Sequence, residues 1–392
     1  MDLTFSAAEE AFRSELRAWL RSHAPADPGE HESLAAEVAF LRRWQQTLAA
    51  AGWVGIHWPR AYGGRGASVV ESYLFQEEMA AARAPEIIGR IGVNLVGPTL
   101  IAHGTEEQKQ RFLPPIMPAE EIWCQLFSEP DAGSDLTALR TRAERRGDGW
   151  VVNGQKVWTS YAQFARWGIL LARTDPAAPK AKGISFFICD MQQPGVTVRP
   201  LRQMTGGEEF NEVFLDEVFI PRAHLVGAEH DGWRIANTTL THERGTSPRQ
   251  LVINRMLLDD LLRLAREGVH GRAPAAADAR VRQRLAQHWI EVEITKLNNW
   301  RTLTRIGRQQ PLGPEASFVK LFWSEMSQRI HDTLMEVLGA NGLCWQPGPR
   351  AVAGGRLVRS FLYYRAASIF AGTSEIQRNI LAERVLGLPR SR

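Results

Sequence analysis

The chain has 392 residues, 44% of them hydrophobic and 23% charged, with a formal net charge of +4. That length exceeds what one hydrophobic core organises and suits two or three domains. Lysines and arginines are scattered among acids, which argues against a nucleic-acid groove and leaves open a basic rim for an anionic ligand. Cys124, Cys189 and Cys344 are far apart and form no CxxC pair, so neither a disulfide framework nor a metal site is expected. The opening MDLTFSAAEEAFRSEL lacks the pattern of a secretory signal. No apolar run nears the ~18–20 residues of a bilayer span, and the expectation is a cytoplasmic protein with reduced thiols.

In chain order, residues 1–120 read as a helical domain. Ser6 and Glu9 have capping-box spacing, followed by Phe12, Leu16 and Leu20 on one face. Thr105 and Gln108 repeat the box, Phe112 and Leu113 supply the apolar face, and Pro114-Pro115 ends the segment. Between the two boxes, WPRAYGGRGAS (58–68) marks an irregular loop. Residues 121–230 switch to strand patterns without βαβ alternation, predicting a compact antiparallel β-domain, a small barrel or sandwich. In it, GWVVNGQKVWTS (149–160) predicts a hairpin turning at Asn153-Gly154, and 184–190 and 212–221 predict strands. Residues 231–392 return to helical spacing at 251–267, 276–306, 315–339 and 374–386, a helical bundle. Gly339, Gly342 and Gly372 fall where helices should stop, and Pro248 after Ser247 should kink or restart a helix. The fold class is therefore α+β multidomain, in the order α, β, α.

The chemistry concentrates in WCQLFSEPDAGSDL (123–136), where small and hydroxylated residues bring N–H groups and hydroxyls close to a polar ligand. Its Ser-Glu-Pro and Ala-Gly-Ser-Asp order resembles the flavin- and thioester-binding signature of the acyl-CoA dehydrogenases. GPTLIAHGTEEQKQRFLPPI (97–116), NGQKVWTSYA (153–162), EVFLDEVFIPRAHLVG (212–227) and SIFAGTSEIQR (368–378) resemble further family segments, in the family's order across nearly the whole chain. The resemblance implies FAD as cofactor. Ser128, with backbone groups of Gln125, Leu126 and Phe127, would bond the pyrimidine side of the isoalloxazine. Trp158, Thr159 and Ser160 would line the flavin, Ser160 standing where the family usually has threonine. Gly133 and Ser134 would approach the phosphate or pantetheine parts of the ligands. Thr373 and Glu375 would present the N-terminus of the last helix to the cofactor. Glu336, Gly339 and Ala340 would occupy the cofactor-binding turn.

Many family members carry the catalytic glutamate just before the Gly-Thr pair; here that residue is Ala371. Its backbone amide, with Gly372 beside it, can still polarise a thioester carbonyl. In the branch typified by isovaleryl-CoA dehydrogenase, the glutamate instead precedes an arginine on a helix of the C-terminal domain. LTHERGTS (240–247) matches that place, so the resemblance implies Glu243 as base and Arg244 as a residue orienting the substrate site. His242, its helical neighbour, points roughly 100° away and is read as structural.

The implied reaction is α,β-dehydrogenation of an acyl-CoA to the trans-2-enoyl-CoA, with electrons passed to electron-transfer flavoprotein. An acyl-CoA or nitroalkane oxidase of the same fold, or a flavin-binding subunit of a heteromeric dehydrogenase, are the alternatives. The acyl group stays open, as does a carrier protein in place of CoA. The family's Arg-x-x-Phe-Gly-Lys segment is absent from EGVHGRAPAAADARVRQR (267–284), where Arg272 and Arg282 are either substitutes or solvated arginines. A homodimer, a homotetramer or a heteromer with a related subunit is expected.

Overall fold

A computed structural model of the chain describes residues 4–26, 31–241, 247–308, 310, 313–314 and 316–389. Its helices are α1 (Ala7–His23), α2 (Leu34–Ala50), α3 (Val69–Ala81), α4 (Gly97–His103), α5 (Glu106–Phe112), α6 (Gly232–Thr241), α7 (Pro248–Glu267), α8 (Ala279–Gly307), α9 (Ala316–Leu338), α10 (Arg356–Tyr364) and α11 (Ser374–Arg384). Its strands are β1 (Trp123–Leu126), β2 (Arg142–Arg146), β3 (Gly149–Ser160), β4 (Trp167–Arg173), β5 (Ile184–Asp190), β6 (Val196–Leu201), β7 (Phe210–Pro221) and β8 (Leu225–Val226). By packing, the described residues of 1–24, 69–84 and 244–392 form one compact unit, and those of 25–68 and 85–243 form a second.

The first unit is helical. The α1 capping box is closed in both directions, Ser6 N–H donating to Glu9 Oε2 at 2.6 Å and Glu9 N–H to Ser6 Oγ at 3.3 Å. Phe12, Leu16 and Leu20 are buried, as their spacing predicts. Arg13 and Arg17 on α1 both reach the buried Glu78 of α3, at 2.6 and 2.8 Å. Pro248 at the first position of α7 restarts the helix after Ser247, because its missing N–H is not needed there. Leu258 and Leu261 of α7, Val292 of α8, Met326, Ile330 and Leu334 of α9 and Leu357 of α10 share one core. At the end of α9, Gly339 takes a left-handed φ of 56°.

The second unit is built on one eight-stranded sheet ordered β6-β7-β3-β2-β4-β5-β8, with β1 pairing β4. Its ladders are antiparallel except that β1, and one residue pair of β2, run parallel to β4. The parallel contact of β1 follows from the long excursion through β2 and β3 between the two strands, which no tight turn makes. The hairpin expected at Asn153-Gly154 does not form. Residues 149–160 are one continuous strand lying along β7, with a register shift at that dipeptide. Gly154 serves close approach, since a Cβ there would stand 2.4 Å from Thr141 Oγ1. Asn153 Oδ1 accepts the N–H of Glu217 at 2.8 Å, holding that residue's left-handed backbone opposite the shift. The dipeptide thus supplies a bulge, a role its local chemistry shares with a turn.

The α5 capping box also closes, through Thr105 and Gln108, and Phe112 and Leu113 are buried. The cysteines are all free, Cys124 and Cys189 being buried.

Candidate active site

In the sheet unit, the segment after β1 is clamped to β3 by a buried ion pair. Lys156, with 0% of its surface exposed, donates to Glu129 Oε1 at 2.8 Å and to the Phe127 carbonyl at 3.1 Å. Glu129 also accepts the backbone N–H groups of Arg140 at 2.6 Å and Thr141 at 3.0 Å. Burial pushes the Glu129 carboxyl up, but the Lys156 charge and these bonds outweigh it and hold it below the usual carboxylate range. Complete burial draws the Lys156 ammonium down to about 8, so both partners are ionised at neutral pH. Val157 N–H donates to the Ser128 carbonyl at 2.9 Å, bringing 125–128 alongside 157–160.

Directly after this clamp, β3 slips register against β7 between Lys156 and Thr159. Trp158 sits in the slip with φ 59°, a left-handed conformation that a bulky residue adopts only under constraint. A bulge re-aims a side chain. The Trp158 indole is 61% exposed, with Phe210 edge-on at 6.2 Å between centroids. Thr159 is buried, its Oγ1 without a partner among the described residues, while Ser160 is half-buried. Gly133 and Ser134 lie exposed beyond a small turn in which Glu129 and Ala132 exchange backbone bonds. A Cβ on Gly133 would meet open space, so that glycine makes no close approach within this chain.

In the helical unit, Ala371 and Gly372 take left-handed φ values of 52° and 85°. They present an exposed turn at the N-terminus of α11. Thr373 caps that helix, its Oγ1 accepting the Ile376 N–H at 3.2 Å. Gln377 Nε2 holds the turn from below through the Ala371 and Gly372 carbonyls, at 3.2 and 3.4 Å. No hydrogen bond among the described residues uses the Ala371 N–H. Glu375 is exposed in the first turn of α11, where its own backbone N–H and Thr373 hold its carboxyl below the ordinary range. Glu336, in the last turn of α9, is ion-paired with Arg284. Arg272 donates to the Glu336 and Val337 carbonyls at 3.4 Å, filling the notch over Gly339 that a Cβ would occupy. Arg282 donates to the Ala276 and Ala277 carbonyls at 2.8 Å, so both candidate arginines close helix ends of their own chain. Ala340 is exposed just beyond. Glu243, Arg244 and His242 lie outside the described residues, between the end of α6 and the start of α7.

The sequence reading passed over Lys156 and Glu129. No local signal marks them: Lys156 directly follows Asn153, Gly154 and Gln155, and Glu129 stands in a polar loop motif where an acid is ordinarily solvated.

Family comparison covers this whole arrangement. The families described as acyl-CoA dehydrogenase N-terminal, middle and C-terminal domains match residues 6–120, 124–218 and 230–386. The chain belongs to the acyl-CoA dehydrogenase family. It is 41% identical to the acyl-CoA dehydrogenase IpdE1 of Mycobacterium tuberculosis, over 97% of this chain and 98% of that one. Among solved structures, "Tcur3481-Tcur3483 steroid ACAD" aligns over 100% of both chains at 32% identity, with a TM-score of 0.86. The ChsE4-ChsE5 complex from Mycobacterium tuberculosis aligns equally completely at 33% identity, also with a TM-score of 0.86.

The chain is thus an FAD-dependent oxidoreductase with the family's helical, sheet and helical parts. The residues present fit that cofactor. An exposed indole held in strained backbone beside a register slip offers a face for a flat ring, and the orphaned Thr159 hydroxyl lies next to it in the chain. Among the described residues, no helix is long and apolar enough to cross a membrane, and no His/Cys/Asp/Glu cluster could hold a metal.

Proposed function

We propose that this acyl-CoA dehydrogenase removes the α proton of a CoA thioester with Glu243 and forms the trans-2-enoyl-CoA. The observation that carries this reading is the Ala371 turn: a left-handed, exposed residue whose N–H no described residue accepts, and with no carboxylate. An N–H of that kind can hold the thioester oxygen and so acidify the α proton, while the base must come from elsewhere in the chain. Glu243, followed by Arg244, is the carboxylate that the family resemblance supplies. A second acid at 371 would repel it. Bound FAD supplies the two-electron acceptor for the β carbon. Ser128, with the backbone of 125–127, holds the pyrimidine edge. Trp158, Thr159 and Ser160 back the ring, and Thr373 and Glu375 with the α11 N-terminus face its polar groups. Gly133 and Ser134 meet the phosphate and pantetheine parts, Glu336, Gly339 and Ala340 form the distal turn, and Arg244 and Gly372 border the substrate. The domains run 1–120, 121–230 and 231–392 in this reading.

CoA as carrier is supported by a cleft of about 550 Å³ in the sheet unit, lined by Lys182, His230, Asp231, Trp233 and Arg234 among others, Arg234 being ion-paired with Asp231. A cation and an indole suit the phosphates and base of a nucleotide. The steroid named for one related structure makes a steroid-derived acyl group the first substrate to test. The paired names of both related structures support assembly with a related subunit over a homo-oligomer. Electron-transfer flavoprotein is the proposed acceptor, and the enzyme is placed in the cytoplasm.

The test is anaerobic flavin bleaching with a panel of acyl-CoAs. Glu243→Gln should keep bound flavin and lose bleaching; wild-type-like bleaching in that variant refutes the assignment. Fast reoxidation of the bleached enzyme by air, with none by electron-transfer flavoprotein, would make it an oxidase instead.

A further inference from the structure

Lys320, on α9 in the helical unit, carries an ammonium that the chain encloses without bonding. Its Nζ is buried and has no hydrogen-bond partner among the described residues. Two acids act on it electrostatically, Glu325 of α9 and Glu375 of α11. Both are engaged elsewhere: Glu325 accepts from Arg378 at 2.6 Å, and Glu375 bonds its own N–H and Thr373. Burial, the largest effect, draws the ammonium down to about 8, which leaves it charged at neutral pH. What it faces is the ring of Phe370, with 6.0 Å from Nζ to the centroid, within reach of a cation–π contact.

An enclosed ammonium without a hydrogen bond lowers stability, and an apolar side chain of similar length would fill the place better. Its surroundings say what it serves. Phe370 immediately precedes Ala371, and its ring also meets Trp323 and Tyr363, each at 6.4 Å between centroids. The Phe370 N–H donates to the Ala366 carbonyl at 3.0 Å. Gln377 holds the turn from its other side, through the Ala371 and Gly372 carbonyls. Ala371 is left-handed, a conformation that persists only where its neighbours enforce it. Phe370 and Glu375, both within the influence of Lys320, bracket Ala371, Gly372 and Thr373 in the chain. The cation therefore lies beside the turn whose N–H no described residue accepts. A fixed positive charge in so poorly solvated a place strengthens the hold of that N–H on a carbonyl oxygen.

We infer that Lys320 is a positioning residue of the thioester site: its ammonium, set against Phe370, holds the Ala371 turn in place and adds positive potential to it. This deepens the proposed function and rests on one part of it, that the Ala371 N–H receives the thioester oxygen. The identity of the base does not enter.

The test is isotope-edited infrared spectroscopy of a CoA thioester bound to the FAD-loaded enzyme. The thioester carries a labelled carbonyl carbon and no hydrogen on its α carbon, so no turnover intervenes. In the wild type the carbonyl band should move to lower frequency than in water, as a polarised carbonyl does. Lys320→Met and Lys320→Gln should each cut that shift by about half or more, and Lys320→Arg, which keeps the charge, should retain most of it. The neutral variants should melt no lower than the wild type, because no hydrogen bond is lost with the ammonium. Having two of them guards against one that misfolds. A shift that neither neutral variant diminishes, or that arginine fails to preserve, overturns the role of Lys320 and leaves the proposed function standing. Failure of both neutral variants to fold makes Lys320 a structural residue and overturns it equally. A wild-type band unmoved from its position in water removes the Ala371 turn as the oxygen site, and the inference falls with it.

Discussion

Replacing Lys156 by methionine keeps the apolar stem and deletes the ammonium that ties the loop after β1 to β3. Glu129 would keep its two backbone donors, Arg140 and Thr141, but lose its counter-charge at 2.8 Å, and the Phe127 carbonyl would lose its buried donor. Removing one member of a buried pair costs about 3–5 kcal/mol, and the two surviving bonds to Glu129 favour the lower end, about 3 kcal/mol. For 392 residues the unfolding entropy near Tm is about 0.8 kcal/mol per degree, so Tm should fall by about 4 °C. Adding Glu129→Gln removes the stranded charge and should restore about half of that loss. Calorimetric melting of the FAD-free protein measures both, and titration with FAD reports the loop: Lys156→Met should bind FAD more weakly by about tenfold or more. A Tm within one degree of wild type, or a double variant less stable than the two single losses combined, would refute the argument that the pair clamps the loop.

Trp158→Gly should separate stability from cofactor binding. The exposed indole adds little to the core, and glycine relieves the left-handed backbone, so the FAD-free protein should melt no lower and gain about 1 kcal/mol, while FAD affinity drops. Gly154→Ala drives a methyl against Thr141 and should cost about 1–3 kcal/mol in urea unfolding; an unchanged midpoint would contradict the close approach. His331 gives a pH signature. Burial lowers its pKa from 6.5 to about 4, with Nδ1–H donating to the Ser327 carbonyl at 2.7 Å and Nε2 accepting from Ser360. The unfolded chain therefore binds the proton first. The contribution is complete above pH 6.5 and is lost as pH falls towards 4, about 3 kcal/mol in all. His331→Gln should flatten the stability profile in that window relative to wild type, and parallel profiles would contradict the assignment.

Local pattern alone specified a good deal of this protein. Both capping boxes, the buried faces of α1 and α5, the restart of α7 at Pro248 and the α, β, α order are set by groups within a few residues of one another, whose bonding needs are met inside one element. The motif order carries the family, and Ala371 poses the question of the base within the sequence itself. Tertiary contacts decided the rest. Asn153-Gly154 has the chemistry of a turn, and only the approach of Thr141 and the Glu217 backbone makes it a bulge in an unbroken strand. Lys156 and Glu129 are 27 residues apart, and nothing local distinguishes them from solvated charges. Lys320 is an ordinary helical lysine until the packing of α9 against the Phe370 turn encloses its ammonium. Such roles depend on which distant group arrives at a given atom and whether water is left there, and a one-dimensional pattern of spacing does not encode that arrival.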